Sequence, residues 1–332
     1  MSSPENVKLT SSEMGSLWDA YINHTHNICV LEFFKAKAED DEVSKVLDHT
    51  YKIAIELKEK CKQKLQSENI PVPTGFSQQD VDVSAPRLFP DSFALMYIKN
   101  MSRVMVAACG LMYTMSTRKD IRELYHHCLL QATNVFDEVS DVLLEKGVYT
   151  RPPFIEPPKR ADFIEDKDYL NGKNLFGDQR YLNSIEISHL FANIEANVIG
   201  NSISKAYGQT ADMQEVREFM MNAGQLSEKI INKLTEYLTG SHLPAPMPSE
   251  TQVYSSSHPP FSDRLMMYEL SVLTAAGISD YASSLATSMR NDLKTLYMDL
   301  FTDTTKLGGK AEKLMIENHW LEQPPQQDKI LY

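Results

Sequence analysis

Ile70-Pro71-Val72-Pro73-Thr74-Gly75 recurs 173 residues later as Leu243-Pro244-Ala245-Pro246. A Pro-x-Pro unit cannot continue a helix, because proline lacks an N–H and its ring clashes with the preceding turn. The first copy lies in a segment of about 22 residues, 69 to 90, rich in Pro, Gln and Ser. Before it, Val43, Val46, Leu47, Thr50, Ile53, Leu57, Cys61 and Leu65 recur at helical spacing. After it, Leu95, Ile98, Met101, Val104, Met105, Ala108, Leu111 and Met112 do the same. Neighbouring antiparallel helices need only a short loop. An extended chain covers roughly 3.3 Å per residue, enough here to run the length of a helix of about 36 Å. The spacing therefore predicts a third helix that starts at the same end as the second, the one-crossover arrangement of ferritin-like bundles.

Two further helices complete the unit. Thr10-Ser11-Ser12-Glu13 has the form of a capping box and opens a stripe of Leu17, Tyr21, His24, Ile28 and Leu31. Ser116-Thr117 and Asp120 open the fourth helix, which Gly147 stops. The third helix, about 91 to 115, is apolar nearly all round and is expected to be the most buried. The plan then restarts. An offset of 173 maps Glu13 to Glu186, Leu17 to Leu190, Leu57 to Ile230 and Leu65 to Leu238; an offset of 172 maps Arg118 to Arg290, Asp120 to Asp292 and Pro152-Pro153 to Pro324-Pro325. Two unrelated amphipathic patterns would not keep the proline punctuation in place. The chain reads as all-α, two ferritin-like four-helix bundles in tandem. The expected domains are residues 1–150, a Pro-rich linker 151–180 lying on the bundles with a short helix at Asp168-Tyr169-Leu170, and residues 181–332.

Composition narrows the function. The chain has 332 residues, 42% of them hydrophobic, and a formal charge of -12 from 33 basic and 45 acidic residues. An acidic chain without a basic run argues against nucleic acid as a partner. Met1-Ser2-Ser3-Pro4-Glu5-Asn6 lacks the pattern of a signal peptide. The best apolar run, Val104 to Tyr113, is too short for a membrane span. Four cysteines, Cys29, Cys61, Cys109 and Cys128, form no C-x-x-C pair and read as reduced core residues of a cytoplasmic protein.

Phe261-Ser262-Asp263-Arg264-Leu265-Met266-Met267, Ala275-Ala276-Gly277-Ile278, Arg290-Asn291-Asp292-Leu293 and Trp320-Leu321-Glu322-Gln323-Pro324-Pro325 resemble the signature segments of an uncharacterised duplicated family of Bacillus-type bacteria, grouped with ferritin-like folds and related to spore coat F-type proteins. The resemblance covers nearly the whole chain. It implies the fold and a role in sporulation or spore association, and it brings no catalytic residues. One departure is Asn318-His319-Trp320, where the family pattern has Gly before the Trp. By position in the repeat, Phe261 to Tyr268 is where the crossover meets the third helix of the second copy. Asp263 is expected to start that helix, with Leu265, Met266 and Tyr268 in the core.

Ferritin-like bundles often hold two metals with Glu and Glu-x-x-His ligands. This chain has one such motif, Glu123-Leu124-Tyr125-His126, with His127 beside it. Together with His24 on helix one and Glu56 on helix two it makes a candidate iron or manganese site, His24, Glu56, Glu123 and His126, in the first bundle only. Helix two lacks a Glu-x-x-His, helix three has no inward acid, and the equivalents in the second bundle include Asn197, Lys229, Thr295 and Met298. A hydrogen-bonded polar layer without metal is the simpler account. Met96, Met101, Met105, Met112 and Met115 fit a core, or a groove for a small apolar ligand. The leading expectation is a non-enzymatic structural or interaction protein, without cofactor, that engages protein partners or itself. The alternatives are a carboxylate–histidine metalloprotein and a carrier of a small apolar ligand.

Overall fold

The computed structural model describes residues 7–172, 180–246 and 252–327. The N-terminal hexapeptide and residues 173–179 of the expected linker lie outside the described residues. Eight α-helices are present among them: α1 (Ser11–Lys37), α2 (Asp41–Ser67), α3 (Asp91–Met115), α4 (Lys119–Glu145), α5 (Ser184–Thr210), α6 (Gln214–Thr239), α7 (Asp263–Thr287) and α8 (Asn291–Glu317). A 3-10 turn spans Lys167–Leu170. The fold is all-α, with two helical bundles made by the two copies.

Capping decides where helices start and stop. Thr10 and Asn183 each close a capping box with Glu13 and Glu186. The even-numbered helices of both copies end on a left-handed residue: Asn69, Gly147, His242 and His319, with φ of 57°, 68°, 58° and 58°. The next N–H then folds back on the last turn, as Ile70 N to Leu65 O at 2.9 Å and Leu243 N to Leu238 O at 3.0 Å. This is the Schellman end, which favours glycine at the left-handed position. His319 occupies that position in α8. The helix end is therefore the same as in the other copy, made here without the glycine.

The direction of the helices follows from two carboxylates. Asp91, first residue of α3, accepts from the backbone N–H of Glu39 at 3.1 Å and of Asp40 at 2.8 Å, in the α1–α2 turn. Glu13, near the start of α1, accepts from the backbone N–H of Thr117 and Arg118, both at 2.7 Å, in the α3–α4 turn. So α2 and α3 start at the same end, and residues 68–90 cross the length of the bundle. Glu186 repeats this role for α5, accepting from Met289 N at 3.2 Å and Arg290 N at 3.1 Å. Each turn is locked by a forked arginine. Arg118 Nε and Nη2 meet Asp120 at 3.1 and 2.8 Å, and Arg290 meets Asp292 at 3.1 and 2.7 Å. A planar guanidinium matches a carboxylate in this two-point way.

The chain divides into two compact units. One gathers the chain up to Tyr149 with Ser256–Leu265 and the chain from Ile316; the other gathers Thr150–Ser255 with Met266–Met315. Within the first unit, Val81 and Phe261 form an antiparallel bridge. Phe261 packs edge-on to Phe33 at 5.3 Å. Glu322 accepts from the N–H of Thr74 and of Gly75, both at 2.7 Å, and Arg264 lies over Phe76, 4.5 Å from its centroid. The two most distinctive strings of the sequence thus clasp the first crossover. α7 starts at Asp263, as expected, and Ser262 caps it by accepting from Leu265 N at 3.2 Å. Leu265, Met266 and Met267 are fully buried, while Tyr268 is half-buried.

The expectation that the third helix is the most buried is corrected. The C-terminal part of α3 emerges from the bundle, with Leu111 61% and Met115 52% exposed. Among the described helices the most buried is α5, whose side chains from Ile199 to Tyr207 are buried on nearly every face. Its Gly, Asn and Ser residues are small enough for close packing on all sides.

Candidate functional site

In the first bundle, α1 carries two faces. Leu17, Tyr21 and Leu31 look inward, and His24 shares that stripe. Thr25 and His26 meet the crossover. Thr25 Oγ1 accepts from Phe76 N at 3.0 Å, and Phe76 lies edge-on to His26 at 6.0 Å. Gly75 makes this approach possible. Its φ is +62°, and a Cβ there would lie 2.5 Å from Thr25 Oγ1.

His24 opens on a cavity of about 60 Å³. Its wall includes Leu57, Ile98, Met101, Met105, Ala132 and Val135, with Asn27, Thr50, Ser102 and Gln131 as polar points. No lining side chain is charged. Thr50 and Ser102 donate their hydroxyl hydrogens to the backbone of their own helices, at Val46 O (2.8 Å) and Lys99 O (3.0 Å). His24 and Gln131 make no hydrogen bond within the described residues. Burial pushes His24 down to about 4, so the ring is neutral at pH 7. A neutral imidazole offers one donor and one acceptor to whatever fills the space.

The four residues proposed from sequence as a metal site do not gather. His24 faces the cavity. Glu56 is half-exposed and pairs with His127 Nε2 at 2.9 Å and with Lys60 at 3.5 Å. Glu123 is on the outer face of α4, 3.6 Å from Lys119. His126 is exposed, with only the tilted ring of Tyr113 at 6.2 Å. His127, one position on, is the histidine that turns toward α2. A metal needs ligand atoms within roughly 2.0–2.6 Å of one point. Among the described residues, no group of three or more His, Cys, Asp or Glu side chains is placed to hold one.

Three of the four cysteines, expected from sequence as small core residues, lie near one another as a thiol cluster in the core. All four cysteines are free and buried. Cys29 stands apart, donating to Ser77 O at 3.4 Å. Cys109 on α3 and Cys128 on α4 are close enough to perturb each other's ionisation, and Cys61 on α2 lies within electrostatic reach of Cys109. Burial pushes Cys61 up to about 12. The signal was available: counting from the α3–α4 turn, Cys109 and Cys128 lie at similar depth on the two arms of one hairpin.

The second bundle fills the same level differently. Asn197, the counterpart of His24, donates to Tyr281 Oη at 2.8 Å and to Asn193 O at 2.7 Å. Asn193 in turn donates to Ser284 Oγ at 2.8 Å. Leu234, Tyr281 and Leu300, counterparts of Cys61, Cys109 and Cys128, belong to its hydrophobic core.

Comparisons with known proteins agree with the duplication. Residues 2–160 and 170–329 each match the family described as "Protein of unknown function (DUF3231)". No curated protein matches the chain. A crystal structure of a "putative spore coat protein" from Bacillus halodurans C-125 is similar at 17% identity and a TM-score of 0.43, over 45% of this chain and 98% of that one. No described helix is long and apolar enough to cross a membrane.

Proposed function

We propose that this chain, which belongs to the DUF3231 family, is a non-enzymatic binding protein whose first bundle takes up a small, uncharged, largely apolar molecule beside His24. The observation that carries this reading is the cavity of about 60 Å³ with a neutral histidine in its wall. A largely apolar hollow with a few convergent polar groups and a perturbed histidine is the pattern of a binding site. Size and charge set the class of ligand. A water occupies about 10–15 Å³ on this kind of measure, so the hollow suits a body of a few heavy atoms. A charged ligand would lose hydration and meet no counter-charge on the wall. A short-chain alcohol has the right form, with a hydroxyl for His24 or Gln131 and an alkyl tail for Met101, Met105 and Val135. The second bundle, with Asn197 already bonded to Tyr281, serves as a structural copy in this reading.

The probe is 1-butanol, followed by methyl and amide NMR shifts of the intact chain. Saturable shifts confined to the Met105, Ala132 and Val135 region are expected. Ala132→Leu, which fills the hollow, should abolish them while helical circular dichroism is retained. Shifts that grow linearly without saturating, or that survive Ala132→Leu in a folded variant, would defeat the reading.

A further inference from the structure

The cavity and the thiol cluster are neighbours. Leu57, Met105 and Ala132 line the cavity, and each lies four residues from a cysteine on the same helix face: Cys61, Cys109 and Cys128. The thiols therefore form the layer next to one end of the hollow. None is needed to build that layer, since the second bundle makes it from Leu234, Tyr281 and Leu300. Cys109 and Cys128 lie at similar depth on the packed antiparallel helices α3 and α4, close enough for each to perturb the other's ionisation. We propose that Cys109 and Cys128 are a redox modification site, converted to a disulfide by a small peroxide that enters through the cavity.

The step balances without further reagents. The Cys109 sulfur attacks one oxygen of hydrogen peroxide, the O–O bond breaks, and the released hydroxide takes the thiol proton to become water. Cys109 is now a sulfenic acid. The Cys128 sulfur attacks that sulfur, an S–S bond forms, and the sulfenic oxygen leaves as a second water. Two electrons pass from the thiol pair to the peroxide in all. Hydrogen peroxide has two heavy atoms and fits a hollow with room for a few waters. The S–H of Cys128 stabilises the Cys109 thiolate and holds Cys109 below the usual thiol range; the same contact, with burial, pushes Cys128 up. The thiolate is the attacking form, and the steps are the same with the two thiols exchanged. This site holds whether or not the cavity takes an alcohol.

Native protein is treated with a modest excess of hydrogen peroxide, quenched, alkylated in denaturant and digested without reduction. Peptide mass spectrometry should show a Cys109–Cys128 cross-link, lighter by two hydrogens, with Cys29 and Cys61 alkylated. Cys128→Ser and Cys109→Ser should each abolish the cross-link, leaving the remaining thiol either alkylatable or a sulfenic acid trapped by dimedone. Cys61→Ser should still form the cross-link. Four alkylatable thiols under conditions that oxidise an exposed control thiol would overturn the proposal, as would a cross-link through Cys29 or Cys61. The wild-type map decides even if a serine variant fails to fold. Unchanged 1-butanol shifts in folded Cys109→Ser separate this site from the ligand reading.

Discussion

Where the first bundle sets His24 against an open hollow, the second sets Asn197 against the hydroxyl of Tyr281 at 2.8 Å. The two residues are 173 apart, and the helices around them follow one plan. Volume makes the difference. Cys61, Cys109, Cys128 and Ala132 in the first copy correspond in the repeat to Leu234, Tyr281, Leu300 and Thr304 in the second. Tyrosine and leucine fill space that cysteine and alanine leave, and a packed interior tolerates few voids. The same duplicated frame therefore supports one closed layer and one open one. The frame is held elsewhere, by Glu13 with Arg118 and Asp120, and by Glu186 with Arg290 and Asp292. Glu13 and Glu186 are both fully buried.

The largest effect is expected on that shared frame. Glu13→Ala and Glu186→Ala should each cost about 3–5 kcal/mol in urea unfolding, since each leaves turn N–H groups unpaired in the interior. Glu186→Ala should cost more, because it also removes the charge partner of Arg180, paired with Glu186 at 2.8 Å, leaving that guanidinium to the carbonyls of Tyr169 and Tyr181. Equal costs near zero would show that the turns close without these carboxylates. Burial raises Glu13, but N–H donors from Arg118, Thr10 and Thr117 outweigh it and hold the carboxyl at about 2. A depressed carboxyl stabilises above its unfolded value of 4.5 and loses that contribution as pH falls toward 2. The drop should approach about 3 kcal/mol over that window and vanish in Glu13→Gln.

His24→Asn, which installs the residue of the second bundle, addresses the open layer. His24 titrates near 4 when folded and 6.5 when unfolded. Its depressed value means that stability present above pH 6.5 is lost as pH falls through 4, by about 3 kcal/mol. The asparagine variant should be flat across that window. A slope that persists would assign the effect to another group.

The clasp around the first crossover should be smaller in effect. Gly75→Ala should cost about 2 kcal/mol, from the left-handed φ and the approach to Thr25. Glu322→Ala should cost about 1–2 kcal/mol and speed amide exchange at Thr74 and Gly75. Slow exchange in that variant would mean the clasp does not protect the loop. Smallest of all, Glu123→Ala and His126→Ala should change stability by less than about 0.5 kcal/mol, because both side chains are on the surface.

Helix bounds, the duplication and the crossover were legible in the sequence, because periodicity, caps and proline punctuation are local signals. Thr10 with Glu13 and Asn183 with Glu186 could be read as caps; that the same carboxylates also take the N–H groups of a turn some hundred residues away could not. The candidate site was legible in part. His24 was placed on the inward stripe, but His126 was chosen where His127 faces Glu56. A helix turns about 100° per residue, so an error of one position moves a side chain off its face. Spacing alone does not fix the rotation of a helix with apolar residues on several sides, such as α3, whose outer end is exposed.

The amino-acid sequence by itself therefore determined the element order, the two-copy plan and the direction of each helix, since these depend on contacts within a turn or on the reach of a loop. Tertiary structure decided which side chains meet: Glu322 with Thr74 and Gly75, Cys109 with Cys128, and His24 with a cavity where Asn197 has a partner. Those meetings depend on helix rotation and on the summed volume of side chains from four helices, and no single stretch of the chain contains that information.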